Sequence, residues 1–235
     1  MQGDIKVLST TAMKTTLDEL VPAFERDSRY TLSFNYAPSA QIAHRVAEGE
    51  SGDIAVITQT ALDQLTAAGR IVAGSGIDLA RSEIGIAVRK GAPPPDISDV
   101  EGFKRALLDA KSIAMSHPNG GGQSGAHLQK VFERLGIADA LKAKLLYGTG
   151  GPEGLIGFFL LRGEADIGLQ QMPELMAVPG IDILGPVPRE VQAVTIFSVG
   201  TLATTTNIDA GKAFARFLQT PAAAAVLKAR GMEPT

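Results

Sequence analysis

Residues 112–135 place a short apolar run, a glycine-rich turn and an amphipathic segment in immediate succession. Ser112-Ile113-Ala114-Met115 reads as a buried strand, Ser116-His117-Pro118-Asn119-Gly120-Gly121-Gly122-Gln123-Ser124-Gly125-Ala126 as the turn, and 128–135 as a helix. Such a junction builds an anion cradle largely from backbone. The first N–H groups of a helix have no partner inside it and carry partial positive charge. Glycine lets a ligand approach the main chain, and Ser124 adds a hydroxyl donor. The same residues would also serve as a plain surface loop with a helix cap. What favours the cradle is that similar junctions recur along the chain.

Ile5-Lys6-Val7-Leu8 is a strand that runs through Ser9-Thr10-Thr11 into a helical pattern over 13–26, with Leu17, Leu20, Val21 and Phe24 on one face. Pro22 within it implies a bend or an irregular turn. A strand over 30–35 precedes a helix over 39–47, and a strand over 53–57 precedes a helix over 59–67. Ile71-Val72-Ala73 is a short fourth strand. Then follow a strand over 83–89, a turn stiffened by Pro93-Pro94-Pro95, and a helix over 99–108 capped by Ser98 or Asp99. Beyond the glycine-rich junction lie helical segments over 138–144 and 152–161, then strands over 166–170, 181–184 and 195–200. Helices over 208–218 and 221–229 close the chain, the first capped by Thr206 or Asn207 and the second stopped by Gly231.

Alternation of this kind predicts an α/β fold with parallel strands covered by helices. The order of elements predicts two Rossmann-like lobes with a ligand cleft between them, one lobe inserted into the other. Residues 1–81 and 201–235 form the first lobe and 82–200 the second. Two connections cross, near Arg81-Ser82 and near Val199-Gly200-Thr201. Ligands of open α/β sheets sit beyond the carboxyl ends of the strands. Composition agrees, with 45% hydrophobic and 20% charged residues over 235 positions. A net charge of −3 excludes a broad basic face for nucleic acid. An anionic ligand would therefore be held by local dipoles. Cysteine is absent, which removes disulfides, thiolate metal sites and cysteine nucleophiles. The three histidines, His44, His117 and His127, are too scattered for a metal site. No metal and no cofactor is expected. No apolar run reaches membrane-spanning length, so no direct membrane insertion is expected.

Five stretches carry a resemblance. Residues 5–13, 34–42 and Gly52-Asp53-Ile54-Ala55-Val56-Ile57 resemble the first lobe of molybdate-binding-protein-like solute receptors. Gly163-Glu164-Ala165-Asp166-Ile167-Gly168-Leu169 resembles a second-lobe strand of that family, and residues 212–232 its closing helical pair. The family consists of type II periplasmic binding proteins that serve ABC importers. It holds oxyanions with hydroxyls and backbone N–H groups after the first two strands and at second-lobe helix starts. The resemblance therefore implies Thr10, Thr11 and Ser39 as first-lobe ligands, and Ser124, Gly125 and one of Gln170 or Gln171 in the second lobe; Asn119, an unusual addition beside a tetrahedral oxyanion, is a further ligand candidate. This chain has Ala12 where molybdate binders offer a serine, and Gln170-Gln171 where they offer a tyrosine. Amides both donate and accept, which suits a small organic di- or tricarboxylate.

Ordinary roles stand beside these. Thr10, Thr11 and Ser39 also suit helix caps, one of Gln170 and Gln171 must point into the fold, and His44 and His127 suit helix surfaces. Glu153 suits the start of a helix. His117, beside the glycine-rich turn, is either a turn residue before Pro118 or a group that titrates near neutral pH and moves a proton. Some chains that resemble this family are isomerases of unsaturated tricarboxylates such as aconitate, and His117 is the candidate acid/base for that alternative. As a receptor the protein would be a monomer whose partners are a small anion and an ABC permease. It would be periplasmic if a leader has been removed ahead of Met1, and cytoplasmic otherwise.

Overall fold

The computed structural model of the protein describes residues 3–28, 30–120, 122–149 and 154–235. The chain divides into two compact units, Met1–Ser82 with Thr195–Thr235, and Glu83–Val194.

The first unit is built on six strands: β1 (Asp4–Thr10), β2 (Thr31–Ala37), β3 (Ile54–Thr58), β4 (Ile77–Ser82), β10 (Thr195–Thr201) and β11 (Met232–Pro234), in the spatial order β11-β4-β10-β3-β1-β2. β1 runs parallel to β2 and β3, while β10 is antiparallel to β3 and β4. Alternation of side chains sends Ile5, Val7, Ile54 and Val56 to one core and Leu8, Ala55 and Ile57 to another. Helices α1 (Lys14–Ser28), α9 (Ile208–Leu218) and α10 (Pro221–Ala229) supply the first core, with Leu17, Phe24, Phe214 and Leu227 buried there. Helices α2 (Ser39–Ala47) and α3 (Gln59–Ala67) cover the other through Ile42, Val46, Leu62 and Leu65.

The second unit holds β5 (Ile84–Arg89), β6 (Ile113–Ser116), β7 (Leu145–Gly148), β8 (Ile167–Gln171) and β9 (Ile181–Pro186), ordered β7-β6-β8-β5-β9. β6 is parallel to β7 and β8, and β5 is antiparallel to β8 and β9. Its helices are α4 (Val100–Asp109), α5 (Gln123–Arg134), α6 (Ala138–Leu141), α7 (Gly157–Leu161) and α8 (Met172–Met176).

Several expectations change. Ile71 forms only an isolated bridge to Leu202, and the fourth strand is β4, whose Leu79 and Ala80 enter the core. α1 continues as one α-helix past Pro22 to Ser28. α5 begins at Gln123, so Ser124 and Gly125 belong to its first turn. α6 stops at Leu141 and the chain re-enters the sheet as β7. α7 spans five residues; Pro152 and Glu153, expected in that helix, lie outside the described residues. β10, placed in the second lobe as far as residue 200, pairs with β3 and β4 in the first unit's sheet. Asp99 and Asn207 do cap their helices, accepting from Gly102 and Ala210 N–H at 2.7 and 3.2 Å. Gly231, at φ +72°, ends α10.

One side chain joins the two ends of the second unit. Gln192 Oε1 accepts from Ile84 N–H at 2.8 Å and Ala193 N–H at 2.9 Å, while Nε2 donates to Ile84 C=O at 3.0 Å. Gln192→Ala strands these backbone groups and is expected to cost about 1–3 kcal/mol. A lowered denaturant midpoint at unchanged slope in circular dichroism checks this; an unchanged midpoint contradicts it.

Candidate functional site

In the first unit the strand register brings three helix starts to one edge. Thr10, the last residue of β1, pairs with Ala37 at the end of β2, and Ser9 pairs with Val56 near the end of β3. Each strand feeds a helix. A 3₁₀ turn, Thr11–Met13, leads from β1 into α1; Ser39 opens α2; Thr58 immediately precedes α3. None of these starts carries a side-chain cap: Thr10, Pro38 and Thr58 make no capping hydrogen bond. By contrast, α4, α9 and α10, which begin in loops, are capped by Asp99, Asn207 and Thr220.

Thr10, Thr11, Ser39 and Thr58 are all buried. Ser39 Oγ accepts from Thr58 N–H at 3.2 Å, which leaves its own O–H to donate elsewhere. Thr11 Oγ1 is buried and has no hydrogen-bond partner among the described residues. An unpaired buried hydroxyl costs about 1–3 kcal/mol and calls for an explanation. Lys14, three residues on, is engaged by Asp18 and lies 5.0 Å from the Tyr36 ring centre. Burial, with Asp18 beside it, pushes the Tyr36 phenol far above its usual range. What this edge offers is therefore hydroxyls and backbone N–H groups. Thr58 was not anticipated; its signal is a threonine that closes an apolar strand directly before a helix.

In the second unit, β6 ends at Ser116 and α5 starts at Gln123 with no side-chain cap from Gly122. Ser124 is buried and its Oγ lies 3.5 Å from Ser116 Oγ. At Gly125 a Cβ would stand 2.3 Å from the Ser116 carbonyl oxygen and 2.9 Å from that of His117. Only glycine lets the helix start lie this close to the strand end. His117 and Asn119 are exposed on a turn closed by Gly120 N–H to His117 C=O at 2.9 Å. His117 Nδ1 accepts from Asn119 N–H at 3.0 Å, so the neutral ring carries its proton on Nε2, and the ring leans on Tyr147 at 4.8 Å. His127 bonds the Val191 carbonyl at 2.8 Å and His44 pairs with Glu48, both structural roles.

Gln170 and Gln171 are both buried at the end of β8. Gln170 is the one engaged with the fold: its Oε1 accepts from Ile156 N–H at 2.8 Å, and its amide bonds the Glu174 carboxyl. Glu174, which sequence reasoning missed, also accepts from Gln171 N–H, the back-bond of a capping box. Part of the residue reaches solvent, yet its carboxyl lies among enough protein atoms that burial pushes it up to about 7. Among the described residues no cluster of histidine and carboxylate side chains could hold a metal.

Two substitutions probe these edges. Thr11→Val removes the unpaired hydroxyl at constant shape, and thermal unfolding of the ligand-free protein should show unchanged or slightly raised stability; a loss above about 1 kcal/mol would mean the hydroxyl has a partner. Gly125→Ala should destabilise by about 1–3 kcal/mol, since backbone oxygens rather than flexible side chains oppose the methyl.

Comparison with known proteins follows the same lines. The family described as bacterial extracellular solute-binding protein matches residues 5–233. A protein named aconitate isomerase, from a Pseudomonas species, is 35% identical over 236 residues, across 98% of this chain and 87% of that one. The periplasmic molybdate-binding protein of Azotobacter vinelandii shares the fold at TM-score 0.79 and 20% identity, over 97% of this chain and 98% of that chain. The sulfate-binding protein SubI of Mycobacterium tuberculosis does so at 0.77 and 19%, over 100% and 88%. With its α/β sheets and strand-to-helix edges, the chain belongs to the bacterial extracellular solute-binding protein family.

Proposed function

We propose that the protein is a solute-binding protein for a small organic di- or tricarboxylate. The observation that carries this reading is the buried, unpartnered Thr11 hydroxyl beside uncapped helix starts. Backbone N–H groups and hydroxyls hold an anion without a neutralising cation. Thr10, Thr11 and Ser39 are assigned as first-unit contacts, with Asn119, Ser124, Gly125 and, of the two glutamines, Gln171 in the second, since Gln170 is held in the fold by Ile156. Ala12 and the Gln170-Gln171 pair favour carboxylate over a tetrahedral metal oxyanion, because amides match both carboxylate and hydroxyl groups. Relatives named for molybdate, sulfate and aconitate all point to anions. In this reading the protein works outside the cytoplasm as a monomer and delivers its ligand to an ABC permease. Among the described residues no helix is long and apolar enough to cross a membrane.

The second reading is an isomerase of an unsaturated tricarboxylate, favoured by the 35% identical relative named aconitate isomerase. Shifting a double bond next to a carboxylate removes a proton from one carbon and returns one to another, with helix dipoles steadying the intermediate anion. His117 is the candidate acid/base: its neutral ring takes the proton from the one carbon, and the imidazolium so formed returns a proton to the other.

One set of experiments separates the readings. Calorimetry with citrate, trans-aconitate, malonate, molybdate and sulfate should give binding by at least one carboxylate, weakened tenfold or more by Thr11→Val. Binding of molybdate or sulfate alone overturns the carboxylate assignment. Proton spectra of trans-aconitate with the protein in heavy water should stay unchanged for a receptor. Isomerisation and deuterium uptake, lost in His117→Ala, would establish the enzyme instead.

A further inference from the structure

A second polar group stands at the strand-end edge of the first unit. Ser198 Oγ donates to Asp78 Oδ1 at 2.6 Å, and Gln59 Nε2 donates to Asp78 Oδ2 at 2.9 Å. The three residues come from three elements: Ser198 from β10, Asp78 from β4, and Gln59 as the first residue of α3. Strand register fixes where they meet. Ser198 pairs with Ile57 on one side and with Asp78 on the other, and its neighbour Phe197 pairs with Thr58, the last residue of β3. The group therefore lies at the end of β3 where α3 starts, next to the Thr58 N–H that Ser39 Oγ accepts.

These bonds decide which end of the Gln59 amide is spent. A carboxylate only accepts, so the side of the amide that faces Asp78 is its NH₂. Each Asp78 oxygen carries one of the two bonds, and Ser198 is fully buried, so the carboxylate is held at both ends. Gln59 Oε1 has no hydrogen-bond partner among the described residues, and the residue is half-buried. An acceptor is thereby fixed at an edge whose other groups donate. Backbone N–H groups cannot accept, and Ser39 Oγ already accepts from Thr58. A carboxylate, sulfate or molybdate oxygen presented to Gln59 Oε1 would set acceptor against acceptor, with the Asp78 charge one amide away. A hydroxyl presented there donates and is paired. A site that bonds a ligand O–H disfavours the analogue that lacks it, because the protein acceptor then loses its partner.

We propose that Gln59 Oε1 accepts from a hydroxyl of the ligand, that Asp78 is the positioning residue that keeps the amide this way round, and that the ligand is a hydroxy di- or tricarboxylate. This rests on the assignment of Thr10, Thr11 and Ser39 as carboxylate contacts. The test compares ligands that differ by one hydroxyl, citrate against tricarballylate and malate against succinate, by calorimetry at pH 8, where all four are fully ionised. In the native protein the hydroxy acid of at least one pair should bind tenfold or more tighter than its deoxy partner. Gln59→Met removes both ends of the amide at similar length. It should bring that ratio to within twofold by weakening the hydroxy acid and leaving the deoxy partner unchanged. Asp78→Asn both donates and accepts, so the Gln59 amide can sit either way round, and the ratio should fall between the other two.

A variant that merely loosens this edge weakens both members of a pair alike and leaves the ratio where it was, so the ratio reads the contact itself. Equal affinities within both pairs, or a ratio that survives Gln59→Met, overturn the inference while the carboxylate reading stands. A ratio in Asp78→Asn equal to the native one overturns the positioning role of Asp78. If none of the four acids binds, the inference fails, and the carboxylate reading fails with it only if trans-aconitate and malonate do not bind either.

Discussion

Uncapped helix starts at the carboxyl ends of parallel strands are the constraint around which this protein is arranged. A parallel strand must be followed by a crossover, and here the crossover opens with a helix within a few residues of the strand end. Its first N–H groups then lie at the sheet edge with nothing inside the helix to bond. At α4, α9 and α10 the sequence satisfies such groups with side chains, Asp99, Asn207 and Thr220. At β1, β2, β3 and β6 it does not. Small buried hydroxyls stand at these edges, and a cap would have closed the same positions.

The second unit meets the same demand by different chemistry. Gly125 allows α5 to begin against the Ser116 carbonyl, so backbone takes the place that side chains occupy in the first unit. At β8 the polar residues are amides, and one of them is already committed to the fold through Ile156 and Glu174.

Much of this was legible in the residues. Strand-to-helix alternation singled out Ser124, while Thr10, Thr11 and Ser39 came from the resemblance to solute receptors and stand at junctions of the same kind. Less legible were elements whose patterns are short or interrupted. β7 is four residues long and follows a single helical turn, and β4 is separated from β5 only by Glu83, so its alternation merges with the next strand. The start of α5 is hidden because Gly125 reads as loop; its reason for being glycine is the close approach of the Ser116 and His117 carbonyls at the end of β6. Glu174 was hidden because a lone carboxylate after Met172-Pro173 has no local signal; what marks it is the company of Gln170 in three dimensions. Period-two alternation indicates that one of Gln170 and Gln171 faces inward, and only the Ile156 bond decides that it is Gln170.

The joint at Gln192 has a bearing on synthesis. Ser82 is the register partner of Thr195, and Ile84 is bracketed by Gln192, so the chain leaves the first unit and returns to it at adjoining points. The second unit is one continuous stretch, whereas β10 lies in the middle of the first unit's sheet, between β3 and β4. A ribosome delivers residues in order. The inserted unit is therefore complete in the nascent chain while its host still lacks a central strand, and the half-built sheet must keep the edges of β3 and β4 unpaired until residue 195 and those after it emerge.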